Sequence, residues 1–302
     1  MENNNNFEVI IIGGSYAGLS AAMALGRSLR NVLVIDGGKP CNEQTPHSHN
    51  FLTQDGKTPK EIASLAKQQV AAYETVKFYN GFANSGTITA NGFEITTTAN
   101  DKFSAKKLIF ATGIKDMMPD IKGFAECWGI SVVHCPYCHG YEYRNQNTAI
   151  IANGARAFHL ASLISNLTSQ VTLLTNGKAE FEPEQLEKLA KHSIQIIETK
   201  VNEVVHKDGQ LQKVIFDDQT ELSFDVAYAG IPFTQHSDIP EALGCEFTEH
   251  GHITIDNMQK TTVEGVYACG DNASAMRSVA NAVYAGNLTG AAVNALLTGE
   301  SF

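Results

Sequence analysis

Apolar residues fall along this chain in short unbroken runs and in alternating stretches, and the two patterns predict different elements. Residues 9–12 and 32–35 are apolar at every position, and residues 19–29 between them carry small and aliphatic side chains at helical spacing. An unbroken run of this length suits a strand buried on both faces, so strand, helix and strand predict a βαβ unit with parallel strands. Residues 107–113 form another buried run that stops at Gly113. A second βαβ unit is predicted from a strand at 149–151, a helix reaching residue 167 and a strand at 171–174. Alternation at 87–90 and 93–97 around Asn91-Gly92 predicts a hairpin with a type I′ turn. Strands at 201–206, 211–216 and 221–227, separated by Asp208-Gly209 and Asp217-Asp218, predict a meander. Helices are expected at 59–75 and 278–297, a strand from Gly251, and a hinge at 230–232.

The turns of the two βαβ units differ in chemistry. The first is Gly13-Gly14-Ser15-Tyr16-Ala17-Gly18, and its second strand ends in Asp36. Glycines there with an acidic residue about 20 positions later seat a pyrophosphate on a helix N-terminus and a ribose hydroxyl on a carboxylate. Ser15 holds the second glycine position, and its side chain is small enough for the backbone to approach a phosphate. In the second turn, residues 152–157, Ala152 stands where the first glycine belongs, and Thr175-Asn176-Gly177 follows the second strand with no ribose reader. The expected fold is α/β, with two Rossmann-like three-layer domains, the second inserted into the first: residues 1–114 and 231–302 form one, residues 115–230 the other.

The inserted part contains His134-Cys135-Pro136-Tyr137-Cys138-His139. Two thiols at this spacing close into a disulfide with little backbone movement, and a thiolate beside an imidazolium or at a helix start is stabilised, which favours thiol–disulfide exchange. A zinc half-site is the other reading of these four side chains. The adjacent His134 and Cys135 do not converge easily on one ion, and no second cysteine pair exists, so no metal is expected. The motif also matches a glutaredoxin signature, but Arg144-Asn145-Gln146-Asn147 interrupts the long helix that fold needs. Tyr137 is expected to pack. Cys41, Cys127, Cys245 and Cys269 are scattered and expected to be inert core or surface residues.

Composition narrows the partners. A net charge of -10 over 302 residues excludes a face that releases counterions from nucleic acid. The apolar runs are too short for a membrane span, and the polar start has no basic stretch, so a cytoplasmic protein is expected.

With these residues laid out, the chain resembles the low-molecular-weight thioredoxin reductases and the related dithiol oxidases over nearly its whole length. The resemblance rests on Gly13 to Gly18, Ala111-Thr112-Gly113, Cys135 and Cys138, Gly270-Asp271 and Arg277-Ser278-Val279-Ala280, in that order. It implies an FAD-dependent thiol–disulfide oxidoreductase, with FAD in the outer domain and a NAD(P)-binding-like inner domain carrying the redox pair. By it, Gly13, Ser15, Gly18 and Asp36 hold the adenosine half of FAD, and Asp271 bonds the ribitol. Tyr16, Ala17, Gly37, His49, Ala111, Thr112, Gly113, Gly270, Ser278, Val279 and Ala280 complete the expected cofactor site. Cys138 exchanges electrons with the flavin, Cys135 forms the mixed disulfide with substrate, and a homodimer is expected.

Two departures bear on the reaction. His139 replaces the aspartate that follows the pair in typical thioredoxin reductases, and Cys-Pro-Tyr-Cys-His-Gly-Tyr-Glu resembles the dithiol oxidase branch. A histidine titrating near neutral pH suits removal of a proton from a dithiol. The inner domain also lacks the arginines that read the NADPH 2′-phosphate, since residues 174–182 contain none and Lys178 alone does not replace a bidentate contact. NADPH use is therefore left open. The substrate is a disulfide or dithiol on a small redox protein or small molecule. Three readings stand: a reductase driven by NADPH or a protein electron donor, an oxygen-dependent dithiol oxidase, and a flavin redox sensor without turnover.

Overall fold

The computed structural model describes residues 5–302; the first four residues of the polar start lie outside the described residues. The chain opens with β1 (Asn6–Ile12), α1 (Tyr16–Arg27), β2 (Val32–Asp36), α2 (Pro59–Ala71) and β3 (Val76–Asn80). There follow β4 (Ala83–Thr89), β5 (Gly92–Thr97), β6 (Lys102–Phe110) and β7 (Ile114–Asp116). The middle of the chain forms α3 (Phe124–Cys127), β8 (Val132–Val133), α4 (Pro136–His139), β9 (Thr148–Ile151), α5 (Gly154–Ile164), β10 (Val171–Leu174) and α6 (Pro183–Lys191). Next come β11 (Gln195–Ile197), β12 (Val201–Lys207), β13 (Gln210–Phe216), β14 (Glu221–Ser223) and β15 (Val226–Ala229). The last part adds β16 (Phe233–Gln235), α7 (Ile239–Ala242), β17 (Val266–Ala268) and α8 (Val279–Ser301).

Two compact units result, one of Met1–Glu43, Phe51–Lys115 and Thr234–Phe302, the other of Gln44–Asn50 and Asp116–Phe233. In the first unit a seven-stranded sheet runs β3-β2-β1-β6-β5-β4, with β17 also on β6. The unbroken apolar run of β1 is explained by burial on both faces. Val9 and Ile11 pack with Leu19, Ala22 and Leu25 of α1 and Val293 of α8, while Ile10 and Ile12 pack with Phe93, Ile95, Ile239 and Leu243. Along one edge β6 changes partner, pairing antiparallel with β5 over residues 102–105 and parallel with β17 over residues 108–110.

Small residues bring α1 and α8 together. A Cβ on Gly286 would strike the carbonyl of Ala17, one on Gly290 would meet Ala24 Cβ and the Ala21 carbonyl at 2.7 Å, and the Ser20 hydroxyl donates to Val283 O at 2.7 Å. Arg30 fastens the far end by donating to Glu8 at 2.9 Å, Asn294 Oδ1 at 2.8 Å and Thr298 Oγ1 at 2.7 Å.

The second unit is built on an all-parallel sheet in the order β11-β10-β9-β15-β8. Leu160, Ala161, Ile164 and Leu189 of α5 and α6 cover one face. The antiparallel β12-β13-β14 layer covers the other with Val204, Val214 and Phe216, beside Phe124 and Trp128. Each unit therefore has three layers, as the βαβ patterns predict.

Three local expectations change. The stretch expected as one strand at 221–227 divides: β14 stays in the exposed meander, while β15, buried at every position, joins the parallel sheet between β9 and β8. The hairpin forms, but its two-residue turn is Ala90-Asn91, and neither has the positive φ of a type I′ turn. Gly92 instead opens β5 at φ 133°, where a Cβ would strike the carbonyl of Ala105 on β6. Where a strand is expected from Gly251, the chain forms the isolated bridges Phe247–Ile253, Ile255–Thr261 and Lys260–Tyr267, and the next strand is β17. Among the described residues no helix is long and apolar enough to cross a membrane.

Replacing Gly286 by alanine places a methyl group against the Ala17 carbonyl, and such overpacking costs about 1–3 kcal/mol. The denaturant midpoint of Gly286→Ala should fall accordingly with an unchanged slope.

Candidate active site

At the end of the first sheet the backbone of β1, α1 and β6 meets at very short range. Gly13 has φ 103° and sits over the Ala111 carbonyl, and a Cβ on Gly18 would run into the Gly13 carbonyl. Only glycine fits either place, so α1 begins in bare backbone. Gly14 N–H donates to Asp36 Oδ1 at 3.0 Å, tying the turn to the end of β2. Ser15 is the N-cap of α1, but its side chain makes no capping hydrogen bond, and no acidic residue stands in the first helical turn.

The neighbouring residues divide into framework and open edge. Tyr16 is buried, its hydroxyl donates to Pro59 O at 3.3 Å, and burial raises its pKa; Ala17 lies under Gly270 and Gly286. Gly37 faces the ring of Phe82, whereas Gly38 and Gly113, both at positive φ, have nothing within 4 Å of where a Cβ would point. Asp271 lies 3.6 Å from Arg277 Nε, and the Ser278 hydroxyl caps α8 by accepting from Asn281 N–H at 3.1 Å, with Val279 and Ala280 in its first turn.

Two residues escape sequence reasoning. Asn272 is fully buried and donates to Phe110 O at 2.9 Å and Thr112 Oγ1 at 3.3 Å, while its own Oδ1 has no hydrogen-bond partner among the described residues. Asn42 donates to the Tyr16 hydroxyl at 3.4 Å, and its buried Oδ1 is likewise unmatched. Buried acceptors without donors are uncommon, and each fits a ligand N–H or hydroxyl. With the glycine cradle and the free N-terminus of α1, they make this edge fit for FAD. The position of Asn272 immediately after Gly270-Asp271 is the signal by which the sequence could have found it.

The redox pair lies in the second unit. Cys135 and Cys138 form a disulfide with Cα atoms 5.3 Å apart, and Cys135 is the N-cap of the single turn α4, where its Sγ accepts from Cys138 N–H at 3.1 Å. Pro136 starts the turn, and Gly140 closes it where a Cβ would strike Pro136 O. Tyr137 does not pack, being 67% exposed. Its place between the cysteines on a one-turn helix turns it outward.

His139 follows directly. Burial, and secondarily the charge of His49, push its pKa down to about 4 from an ordinary 6.5. The near-neutral titration expected from sequence is therefore shifted down, and burial favours the uncharged imidazole at pH 7. His49 belongs to the segment Gln44–Asn50 that packs with the second unit, and its Nδ1 lies 3.6 Å from Glu142 Oε1. His134 stacks on Trp128 with ring centroids 5.9 Å apart. Of the other cysteines, Cys127 and Cys269 are buried with pKa values pushed up to about 11 and about 12, Cys245 is raised in the same direction, and Cys41 is exposed.

The second βαβ turn is filled by the chain itself. Asn153 caps α5, its Oδ1 accepting from Gly154 N–H at 2.8 Å and Glu180 N–H at 3.0 Å, while its Nδ2 donates to Lys178 O at 2.8 Å. The Glu180 carbonyl lies 3.4 Å from where a Cβ on Gly154 would stand. Arg156 lies against Gly230 and donates to Ile231 O at 3.3 Å. At this helix terminus the Gly154 N–H is therefore held by the chain's own Asn153.

Residues 7–286 match the family model described as pyridine nucleotide-disulphide oxidoreductase. The chain belongs to that family. Thioredoxin reductase tcpT of Claviceps purpurea (strain 20.1) is 32% identical over 301 residues, which cover 96% of this chain and 94% of that protein. Thioredoxin reductase aclD of Aspergillus oryzae is 30% identical, covering 95% of each chain. Among solved structures, an oxidoreductase from Agrobacterium tumefaciens superposes with a TM-score of 0.91 at 36% identity, covering 97% of this chain and 99% of the other. A putative thioredoxin reductase TrxB from Bacillus anthracis gives 0.93 at 28% identity, covering 98% and 100%. The protein is a thioredoxin reductase-like flavin oxidoreductase.

Alkylation of the unfolded protein without reductant should label four thiols, Cys41, Cys127, Cys245 and Cys269, and label all six after reduction. Six labelled thiols before reduction, counted by mass spectrometry, would contradict the disulfide.

Proposed function

We propose that the protein oxidises an external dithiol, with the Cys135–Cys138 disulfide as immediate acceptor and molecular oxygen as terminal acceptor. The observation that carries this direction is the Asn153 clasp on Lys178 and Glu180, which fills the turn where a reductase would take NADPH. The uncharged His139 supports it as well, since an attacking thiol must lose a proton and a cationic imidazole cannot take one.

A substrate thiol gives its proton to His139, and the thiolate attacks Cys135 Sγ. The Cys135–Cys138 bond breaks, leaving a mixed disulfide on Cys135 and a thiolate on Cys138. The second substrate thiol, deprotonated in turn, attacks the substrate sulfur held by Cys135, so that Cys135 leaves as thiolate and the substrate departs as a disulfide. Two electrons then reside on the cysteine pair and two protons have been released. FAD, held by the residues named below, would supply the electron acceptor between the cysteine pair and molecular oxygen, with hydrogen peroxide as the reduced product.

FAD is assigned to the unit made from both ends of the chain, expected as residues 1–114 and 231–302. Its holding residues are the turn from Gly13 through Ser15, Tyr16 and Ala17 to Gly18, with Asp36, Gly37, Ala111, Thr112, Gly113, Gly270, Asp271, Ser278, Val279 and Ala280, and to these Asn42 and Asn272 are added for their unmatched acceptors. Residues 115–230 serve to present the pair, Cys135 toward substrate and Cys138 toward flavin. Exposed Tyr137 and Tyr141, the latter under the Arg144 guanidinium at 4.1 Å, offer aromatic surface to a small-molecule dithiol. A cytoplasmic location is inferred from the scatter of the cysteines outside the redox pair, and a homodimer from the family resemblance.

Mixed anaerobically with dithiothreitol, the holoenzyme should lose its flavin absorbance and regain it on admission of air, while NADPH at submillimolar concentration leaves the spectrum unchanged. Bleaching by NADPH would restore the reductase reading. Cys138→Ser should abolish bleaching by dithiol.

A further inference from the structure

Most arginines of this chain are engaged by the fold: Arg30 and Arg277 face the carboxylates of Glu8 and Asp271 at 2.9 Å and 3.6 Å, Arg27 donates to the Tyr73 hydroxyl, and Arg156 donates to Ile231 O. Arg144 differs. Its guanidinium lies over the Tyr141 ring at 4.1 Å and donates through Nη1 to Tyr141 O at 2.6 Å, yet among the described residues no carboxylate pairs with it. In a protein of net charge -10 this is an exposed cation whose Nε and Nη2, the side-on fork of the guanidinium, remain open to a ligand.

Its place in the chain puts that cation beside the disulfide. Arg144 stands on the hydrogen-bonded run that continues α4, where Gly140 N–H donates to Pro136 O at 2.8 Å, Tyr143 N–H to His139 O at 3.3 Å and Arg144 N–H to Tyr141 O at 3.5 Å. At about 1.5 Å per residue along such a run, its backbone lies about 9 Å beyond Cys138. Tyr137, Tyr141 and Arg144 are spaced i, i+4 and i+7, which sets them along one side of the run, and the two rings are 67% and 69% exposed. The run itself is pinned. Tyr143 packs against the cluster that holds Val133 and Tyr228 and donates its hydroxyl to Ile130 O, Asn145 N–H donates to Leu167 O at 3.0 Å, and a Cβ on Gly140 would meet Leu167 Cδ1 at 2.5 Å. Stacking on Tyr141 holds the guanidinium in one plane, so little rotamer freedom is lost when it takes up an anion.

We propose that Arg144, held in place by Tyr141, binds a carboxylate of the substrate, so that the small-molecule dithiol oxidised at Cys135 is an anionic one whose carbon skeleton lies along Tyr137 and Tyr141. A carboxylate offers two oxygens to the two open N–H groups of the fork, and a charge-assisted contact of that kind is about twice as strong as a neutral hydrogen bond. Arg144 touches the substrate away from the sulfur atoms, Tyr141 is a positioning residue, and the exchange steps stay as written above. This substrate class rests on the dithiol oxidation described there and falls with it.

Dihydrolipoate and its amide, dihydrolipoamide, carry the same dithiol and differ at the carboxylate, so the ratio of their rates isolates the contact. In anaerobic stopped-flow reduction of the enzyme-bound flavin, at equal subsaturating concentrations and low salt, dihydrolipoate should react about fivefold faster, the upper range for an exposed ion pair. The net negative charge of the protein acting alone predicts the opposite order, since it repels the anion. Added salt should shrink the preference. Arg144→Gln should bring the ratio to one or below, and Arg144→Lys should keep part of it. Tyr141→Leu, which leaves the charge but removes its platform, should also lower the ratio, whereas Tyr141→Phe should keep it. Each ratio is taken within one preparation, so that lost flavin or partial unfolding cancels. A wild-type ratio of one or below would overturn the anionic substrate class and leave the dithiol reading standing. A preference that survives Arg144→Gln would overturn the role of Arg144. Failure of both dithiols to bleach the wild-type flavin would sink the dithiol reading itself, and the substrate class with it.

Discussion

The close approach of the Gly13–Gly18 turn to the end of β6 is the constraint on which the first unit depends. No side chain fits between Gly13 and the Ala111 carbonyl, or between Gly18 and the Gly13 carbonyl, so α1 starts with backbone alone against the sheet. That places its first N–H groups, which lack helical partners, at the edge where an anion can sit. The same economy of side chains recurs behind the helix, where Gly286 and Gly290 let α8 rest on α1. Asp36 and Asn272 then close the edge from its two sides, through Gly14 and Thr112.

The second unit repeats the βαβ plan with the opposite outcome. A side chain, Asn153, stands at the start of α5 and accepts from Gly154 N–H and Glu180 N–H. The unit carries the one-turn helix with the disulfide, and His139 directly follows the pair, half-buried. His139 is kept uncharged by burial, and a loop from elsewhere in the sequence brings His49 and, against it, the turn's own Glu142 closes the pair.

Much of this was legible in the chain. Runs apolar at every position became β1, β2 and β9, because burial on both faces leaves no polar place, and the glycines of the first turn predicted the cradle. The errors share a cause. Residues 221–227 alternate as one strand would, yet the chain leaves the meander at Ser223 and joins the parallel sheet at Val226, a choice made by available partners. Gly92 looked like a turn residue and proved to be a strand residue pressed against β6.

By itself the sequence determined the elements, the two turns, the spacing of the thiols and the absence of a phosphate-reading cluster, since each depends on residues near one another in the chain. Only the tertiary structure decided the protonation of His139, the unmatched acceptors of Asn42 and Asn272, and the meeting of His49 with Glu142. Burial and field are sums over neighbours brought from distant positions, and no local pattern records them.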